Sequence, residues 1–425
     1  MTTASPDRSI ALVLLTGAQA AVPPRPGEFS AVRVLRLTEE QGEGEATARL
    51  RAAHLAHEAG CNWMIALRPG ESLASDALEL IAPILDLFDA IFGAVQVRSS
   101  TEPVAKLSRL AFDEPGRLPH ALLNWWVPDS HIVRTELTAR TLDGIVRRPG
   151  RDWAIDYLFE IWGTARCLKT AQPLLLVDNP PMPRTAEERR AVTERLAVDP
   201  VYMPVVYGET LYHLPYTGLN AGIEREQTRG LFFEAFELEE LRKRVKPGAR
   251  IVDVGANTGN HTIFFAGPMK AAKVTPLEPL PRAGAALRAS VMRNNLANVD
   301  LSLLGIGLSD RAGRARLATS ERGGMGATSL VPDSAGEIAV EALDSVIADP
   351  VDLLKIDVEG MELQALAGAK GLIRRNRPLI FIEIANENTL EFSAWLKEAG
   401  YRVARIFPDK GHANYLIEPE ETASR

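Results

Sequence analysis

Cysteine is nearly absent from this chain, with two residues, Cys61 and Cys167, in 425. Two thiols so far apart make neither a disulfide framework nor a zinc site, and a reducing, cytoplasmic setting is expected. No apolar run reaches the ~18–20 residues that a membrane-spanning helix needs. The early run Ile10-Ala-Leu-Val-Leu-Leu15 is short and lacks the basic start and cleavage region of a signal peptide, so it reads as a strand. Positive charge is not in excess either. The formal net charge is −7, which removes any global attraction to nucleic acid or an anionic membrane. The local cluster Arg242, Lys243, Arg244 and Lys246 suits a solvated helix end. His54, His57, His120 and His131 stand at no metal-ligand spacing beside acids. What remains is an ordinary globular balance, 46% hydrophobic and 24% charged, over enough chain for two or three domains.

The most informative stretch is Ile251-Val-Asp-Val-Gly-Ala-Asn-Thr-Gly-Asn-His261. A β-branched apolar run ends in small residues, and a second apolar run follows at Thr262 to Ala266. This is the pattern of a buried parallel strand, a tight glycine turn and a helix. Gly255 permits the sharp turn. Gly259 permits close approach of backbone to a ligand or of helix to strand. Downstream, Lys273-Val-Thr-Pro-Leu-Glu278 reads as a second strand ending in an acid. An acid about 20 residues past the glycine loop, at the tip of the second strand, suits a ribose diol. Asn257 stands where a pyrophosphate-binding loop wants glycine, which argues against NAD and FAD. S-adenosylmethionine has no phosphate and carries a sulfonium and an amino group, and Asp253 suits that cargo.

Five segments, Asp253-Val-Gly-Ala-Asn-Thr-Gly259, Leu277-Glu-Pro279, Asn294-Asn-Leu296, Leu308-Ser-Asp310 and Leu354-Lys-Ile-Asp-Val-Glu-Gly-Met-Glu362, together resemble the FkbM family of S-adenosylmethionine-dependent methyltransferases. The resemblance covers roughly residues 207–418. It implies an α/β, Rossmann-like class I methyltransferase sheet, mostly parallel and seven-stranded, and O-methylation of sugar or polyketide hydroxyls. It implies no obligatory metal; a cation shared by Asp357, Glu359 and Glu383 is the alternative. Under this resemblance Glu278 holds the ribose diol. The loop Gly255, Ala256, Asn257, Thr258, Gly259 passes beneath methionine and ribose, Asp253 sits beside it, and Ser309 or Asp310 meets the adenine edge. Asp357 lies nearest the methionine amine or the acceptor. Glu359 and Glu383 are the candidate bases, with His261 behind them.

The order of elements places five strands in this half, at residues 251–254, 273–277, 299–308, 351–356 and 379–384, with an antiparallel pair at 401–406 and 414–417 closing the sheet. Asp253, Glu278, Asp310, Asp357 and Glu383 then share the carboxyl edge, where open α/β sheets bind ligands. An extra hairpin is expected from Gly313 to the Gly323–Gly326 loop. Phe232, Phe236 and Leu241 form the apolar face of a helix before the first strand.

Residues 1–180 alternate strands (10–15, 31–37, 62–67, 90–97) with helices (45–60, and 75–88 capped by Ser75), a second α/β domain. This half loosely resembles a family-2 GT-A glycosyltransferase. Its metal motif is degenerate here, Leu67-Arg-Pro-Gly-Glu71, so that Glu71 alone could hold a cation, and Arg151-Asp-Trp-Ala-Ile-Asp-Tyr-Leu-Phe-Glu160 resembles the element that supplies a base. Asn124-Trp-Trp126 offers stacking surface for a sugar. Proline-dense residues 181–205 read as a linker to the methyltransferase-like domain, 206–425. The expected whole is a methyltransferase acting on a saccharide or glycoconjugate, partnered by a small-molecule or glycan acceptor and not by nucleic acid. The rivals are a bifunctional glycosyltransferase–methyltransferase, an S-adenosylmethionine-binding scaffold without turnover and, weakest, an NAD oxidoreductase.

Overall fold

The computed structural model describes residues 8–18, 28–38, 40, 42–99, 129–148, 152–179, 182–198, 200–319 and 328–420. His120, Asn124-Trp-Trp126 and the Gly323–Gly326 loop lie outside them. The chain divides into two compact units. One comprises Met1–Thr193 with Val201–Pro204 and Thr228–Gly230; the other comprises Glu194–Pro200, Val205–Gln227 and Leu231–Arg425. Among the described residues no helix is long and apolar enough to cross a membrane.

The first unit is built on β1 (Ser9–Leu14), β2 (Ala31–Arg36), β3 (Trp63–Leu67), β4 (Glu71–Leu73), β5 (Ala90–Val97), β6 (Ile132–Arg134) and β7 (Cys167–Val177), in the order β2-β1-β3-β6-β5-β7-β4. β1 lies parallel to β2 and β3, and β6 runs antiparallel to both its neighbours. The central strands are buried on both faces, which is why they read as continuous apolar runs. Ile10, Leu12, Trp63 and Ile65 pack on one side, and Ala11, Val13 and Met64 pack against Ala52, Ala53 and Ala56 of the helix Glu45–Glu58 on the other. The helix expected from Ser75 instead spans Ala77–Ile81 and tightens into a 3₁₀ turn at Ala82–Leu87. Ser75 is not its cap. Pro83 lacks the N–H that a continuing α-helix would use.

A hairpin, β8 (Val201–Tyr207) and β9 (Thr210–Tyr216), follows in the chain, and from Val205 on it belongs to the second unit. Its main strands are β10 (Arg250–Val254), β11 (Lys273–Leu277), β16 (Leu353–Ile356), β17 (Leu379–Ala385), β18 (Tyr401–Pro408) and β19 (His412–Pro419), ordered β11-β10-β16-β17-β19-β18. The first four are parallel and the last two antiparallel. A second, four-stranded sheet, β12-β15-β13-β14, is formed by β12 (Ile306–Leu308), β13 (Gly313–Thr319), β14 (Thr328–Pro332) and β15 (Ile338–Glu341). This is a mixed α/β unit, but the main sheet has six strands where seven were expected. Of the predicted strand 299–308, the main sheet keeps one parallel bridge, Val274 to Val299, and Ile306–Leu308 forms β12 of the smaller sheet. Asp300 then caps a 3₁₀ turn by accepting from the Ser302 N–H (3.1 Å), and Gly305, at φ 93°, sends the chain into the smaller sheet.

Alternation along the strands divides the core. Ile251, Leu353 and Phe381 face one side; Val252, Val254, Leu354, Ile356, Ile380 and Ile382 face the other. Phe236 is corrected. It is 57% exposed, whereas Leu238 and Leu241 are buried. The helix starts only at Ala235, after Glu234 at φ 56°, so Phe232 lies outside the helical period that was assigned to it.

Candidate active site

The glycine turn is imposed by backbone crowding. Gly255 has φ 73°, and a Cβ there would lie 1.7 Å from the Asp357 carbonyl oxygen. Its neighbour on the adjacent strand tip, rather than a ligand, therefore requires glycine. Gly255→Ala is expected to cost at least ~2 kcal/mol from the left-handed backbone and the clash together, read as a lowered denaturant midpoint. Gly259, at φ 96°, sits where a Cβ would be 3.0 Å from Leu287 of the helix Pro281–Arg293, so it serves helix packing. The N–H groups of Gly255 and Ala256 both donate to the Leu277 carbonyl (2.9 and 3.0 Å), which ties the turn to the tip of β11. Asn257, left-handed at φ 49°, accepts on Oδ1 from the Thr258 N–H (2.8 Å) and from Asn220 Nδ2 (2.9 Å).

Glu278 joins this turn. Its Oε2 accepts from the Asn257 N–H (2.8 Å) and its Oε1 from the Leu280 N–H (2.7 Å). The residue is buried, and burial pushes its carboxyl up to about 7 although those two N–H groups oppose the shift. Each carboxylate oxygen keeps a second lone pair. A cleft of about 650 Å³, open side included, runs along Gly255, Asn257, Glu278, Asp357 and Glu359, and its remaining wall contains Leu277, Ile306, Leu308, Leu317, Thr328 and Leu330.

Asp253 does not reach this cleft. It is fully buried, accepts from Thr262 Oγ1 (2.6 Å) and lies 3.4 Å from Lys355 Nζ. Asp253 and Lys355 are register partners on β10 and β16, so their side chains stand together on one face. Lys355, also buried, donates to the Gly255 carbonyl (2.7 Å) and lies 3.5 Å from Asp357. Burial opposes its charge, but Asp357, Asp253 and Glu234 more than offset this and hold it above the ordinary lysine value. Sequence reading missed Lys355. Its signal was a lone lysine inside the apolar run Leu353–Ile356, opposite an acid at the same register.

The remaining acids gather beyond Asp357. Glu359, at φ 53°, is open to solvent on one side and crowded by protein on the other. Its carboxyl is pushed up to about 7, first by burial and then by Asp357 and Glu362. Glu362 accepts from the Gly360 N–H (2.9 Å), so the acid that closes the loop is Glu362 and not Glu359. Glu383 lies 3.2 Å from His412 Nε2 and is pushed up to about 8 by burial, then by Asp357, Glu359, Glu234 and Glu362. His261 lies 2.9 Å from Glu234, whose other oxygen accepts from Asn414 Nδ2 (2.6 Å). Burial alone would raise Glu234, but His261 above all draws it below the usual carboxylate range. Glu234, His412 and Asn414 were not legible in advance, because β19 and the segment before the helix Ala235–Arg244 are far apart in sequence.

Gly255, Asn257, Glu278, Asp357 and Glu359 thus line one cleft, with Glu383 and His261 outside its lining. Ala256 and Thr258 are buried beneath the turn. Ser309 and Asp310 do not line it. Ser309 Oγ donates to Asp310 (3.2 Å), and Asp310 is exposed, because the chain has already left the main sheet at Gly305. Among the described residues no three His, Cys, Asp or Glu stand close enough to share a metal ion.

In the first unit, Glu71 is buried and accepts from the Arg68 N–H (2.9 Å) and from Ser130 Oγ (2.5 Å), while Arg68 pairs with Asp129 at 2.8 Å. Both contacts fall on Oε2 of the one carboxylate that could have held a cation, one from its own turn and one from Ser130. Asp152 caps the helix Trp153–Thr164 by accepting from the Ile155 N–H (3.3 Å), and Asp156 is buried.

Residues 253–403 match the family model of the methyltransferase FkbM domain. Solved structures similar to this chain include an rRNA methylase from Streptococcus thermophilus, 15% identical over 44% of this chain and 96% of that one with a TM-score of 0.31. A ribosomal protein L11 methylase from Lactobacillus delbrueckii subsp. bulgaricus is 14% identical over 52% of this chain and 91% of that one, with a TM-score of 0.34. No curated protein sequence matches the chain. The matched segment starts at Asp253, and these comparisons lend no support to a glycosyltransferase-like first unit. Residues 253–403 are thus similar to the FkbM methyltransferase domain, and this match supports methyl transfer.

Proposed function

We infer that the second unit binds S-adenosylmethionine and transfers its methyl group to a hydroxyl of a saccharide or glycoconjugate. The observation that carries this reading is Glu278, a buried carboxylate at the tip of β11. It is held by the turn at Asn257 and faces a cleft with apolar walls. The residues fit the cofactor. Glu278 retains free acceptor positions for a diol, and the apolar side takes a base. The left-handed side chain at Asn257 closes the turn that a pyrophosphate would need bare. When bound, the cofactor supplies a methyl group already activated by its sulfonium, so the chain's own work is to position, desolvate and remove a proton.

Asp357, 3.5 Å from Lys355, lines the cleft and would hold the cationic end of the cofactor. Glu383 and His412 hold the proton that the acceptor hydroxyl gives up; a carboxylate–imidazole pair is suited to this. A base held near 8 works better as the pH rises through that value. The rate is therefore expected to climb up to about pH 8 in wild type. Glu383→Gln should lower the rate by about 10²–10⁴-fold and flatten that limb. The test of the reading is S-adenosylhomocysteine formation across a panel of glycosides. Turnover on one of them supports it, whereas cofactor binding with no turnover on any would leave a scaffold.

We propose residues 1–180 as a glycosyltransferase-like domain that no longer transfers sugar, joined through 181–205 to the methyltransferase domain at 206–425. Its support is the engagement of Glu71 by Arg68 and Ser130. Turnover of UDP-sugars with Mn²⁺ would point instead to a bifunctional enzyme. A saccharide acceptor, and the absence of nucleic acid among its partners, belong to the same proposal.

A further inference from the structure

The small sheet β12-β15-β13-β14 contributes one side of the cleft's wall, through Ile306, Leu308, Leu317, Thr328 and Leu330, and has no part in the main sheet. It is fastened to the ligand side by the Gly305 N–H, which donates to the Glu278 carbonyl (2.8 Å) just before β12 begins. Ile306 and Leu308, two apart on β12, both line the cleft. On β14, Thr328 and Leu330 are likewise two apart and line it together, and Leu317 of β13 is the register partner of Leu330. The sheet curls so that Leu330 returns to β12. A Cβ at Gly307 would lie 2.4 Å from Leu330 Cδ1, so glycine there makes the room that Leu330 occupies.

This wall is apolar except for one group. The Thr328 hydroxyl is shielded from solvent and has no hydrogen-bond partner among the described residues. A buried hydroxyl left unpaired is costly, and each such group in a folded protein calls for an explanation. Facing a cleft whose other side presents a carboxylate, it has the placement of a contact to a bound ligand. Four aliphatic side chains with one hydroxyl suit the face and edge of an aromatic heterocycle, since a hydroxyl can donate to or accept from a ring nitrogen or an amino group.

We propose that β12, β13 and β14 form the nucleobase wall, with Leu317 and Leu330 against the ring and the Thr328 hydroxyl on its polar edge. This rests on the cofactor reading above, and it places the adenine contact on the small sheet in place of Ser309 or Asp310. The wall selects a purine by shape and one hydrogen bond, and Glu278 holds the sugar.

The test is calorimetric titration of S-adenosylhomocysteine into the full chain. Thr328→Val keeps the shape and removes the hydroxyl, and is expected to weaken binding about 5- to 10-fold, the worth of one buried hydrogen bond. Thr328→Ser restores the hydroxyl and should bind within about twofold of wild type. Gly307→Val collides with Leu330 and displaces it from its place in the wall, and should weaken binding more than about 10-fold. Thermal melts of the ligand-free variants check that each folds. Wild-type binding that Thr328→Val and Gly307→Val leave unchanged would overturn the nucleobase wall alone. So would an unchanged Kd with a raised acceptor KM in Thr328→Val, which would move the hydroxyl to the acceptor. Absence of binding by wild type itself would overturn the cofactor reading and this inference with it.

Discussion

Glu278→Ala is expected to weaken S-adenosylhomocysteine binding by at least ~10²-fold, because it removes two hydrogen bonds from a charged acceptor at about 1.5–3 kcal/mol each. It also releases the Asn257 and Leu280 N–H groups that Glu278 now holds. Glu278→Gln keeps one acceptor oxygen and should lose only about tenfold. The pH dependence has a definite sign. Burial raises this carboxyl from 4.5 to about 7, so the folded protein binds more protons than the unfolded chain between those values. The contribution of Glu278 to stability is complete below 4.5 and is lost as the pH rises through about 7. Ligand binding follows the opposite course, because the diol is held by the ionised form. Affinity should improve from pH 6 to pH 8 in wild type and stay flat in Glu278→Gln. Calorimetry at three pH values measures both.

Lys355→Met is expected to be the most destabilising single change in the second unit, at about 3–5 kcal/mol, because it strands the fully buried Asp253 without its cation. A loss of that size is a large fraction of a typical domain's ~5–15 kcal/mol. Asp357 would also lose its neighbour, and the Gly255 carbonyl its donor. The double variant Lys355→Met with Asp253→Asn removes both charges and should recover much of the loss. Denaturant midpoints for the two single variants and the double variant close a thermodynamic cycle. If the loss in the double variant equals the sum of the two single losses, the pair is not coupled, and Lys355 acts through its other partners.

What could be read from the sequence was local. The strand–turn–helix at Ile251–Ala266, the acid at Glu278, the strand tip at Asp357 and the strand that carries Glu383 are written in contiguous runs, and the structure builds those elements where the runs occur. Gly255 and Asn257 were legible because a tight turn leaves a composition that no other local structure requires. Three kinds of information were not local. Asp253 read as a ligand group because its cation, Lys355, is a register partner about a hundred residues away. Ser309 and Asp310 read as the adenine edge because Val299 to Leu308 has the apolarity of a strand. The Asp300 cap and Gly305 turn that run into a bridge and a departure from the sheet. His412 meets Glu383, and Asn414 meets Glu234, only through the antiparallel pairing of β17 with β19 and the packing around it. Pattern also failed at Phe236. The aromatic spacing was helical, but the left-handed Glu234 delays the helix by three residues and turns that ring outward.

The measurement that tests the central claim most directly is calorimetric titration of the full wild-type chain with S-adenosylmethionine, S-adenosylhomocysteine and NAD. Micromolar binding of the first two with none of NAD is the predicted result, since the proposed reading gives the diol to Glu278 and sets Asn257, left-handed at φ 49°, where a pyrophosphate loop would want glycine. Binding of NAD, or of neither methionine nucleoside, would contradict the account.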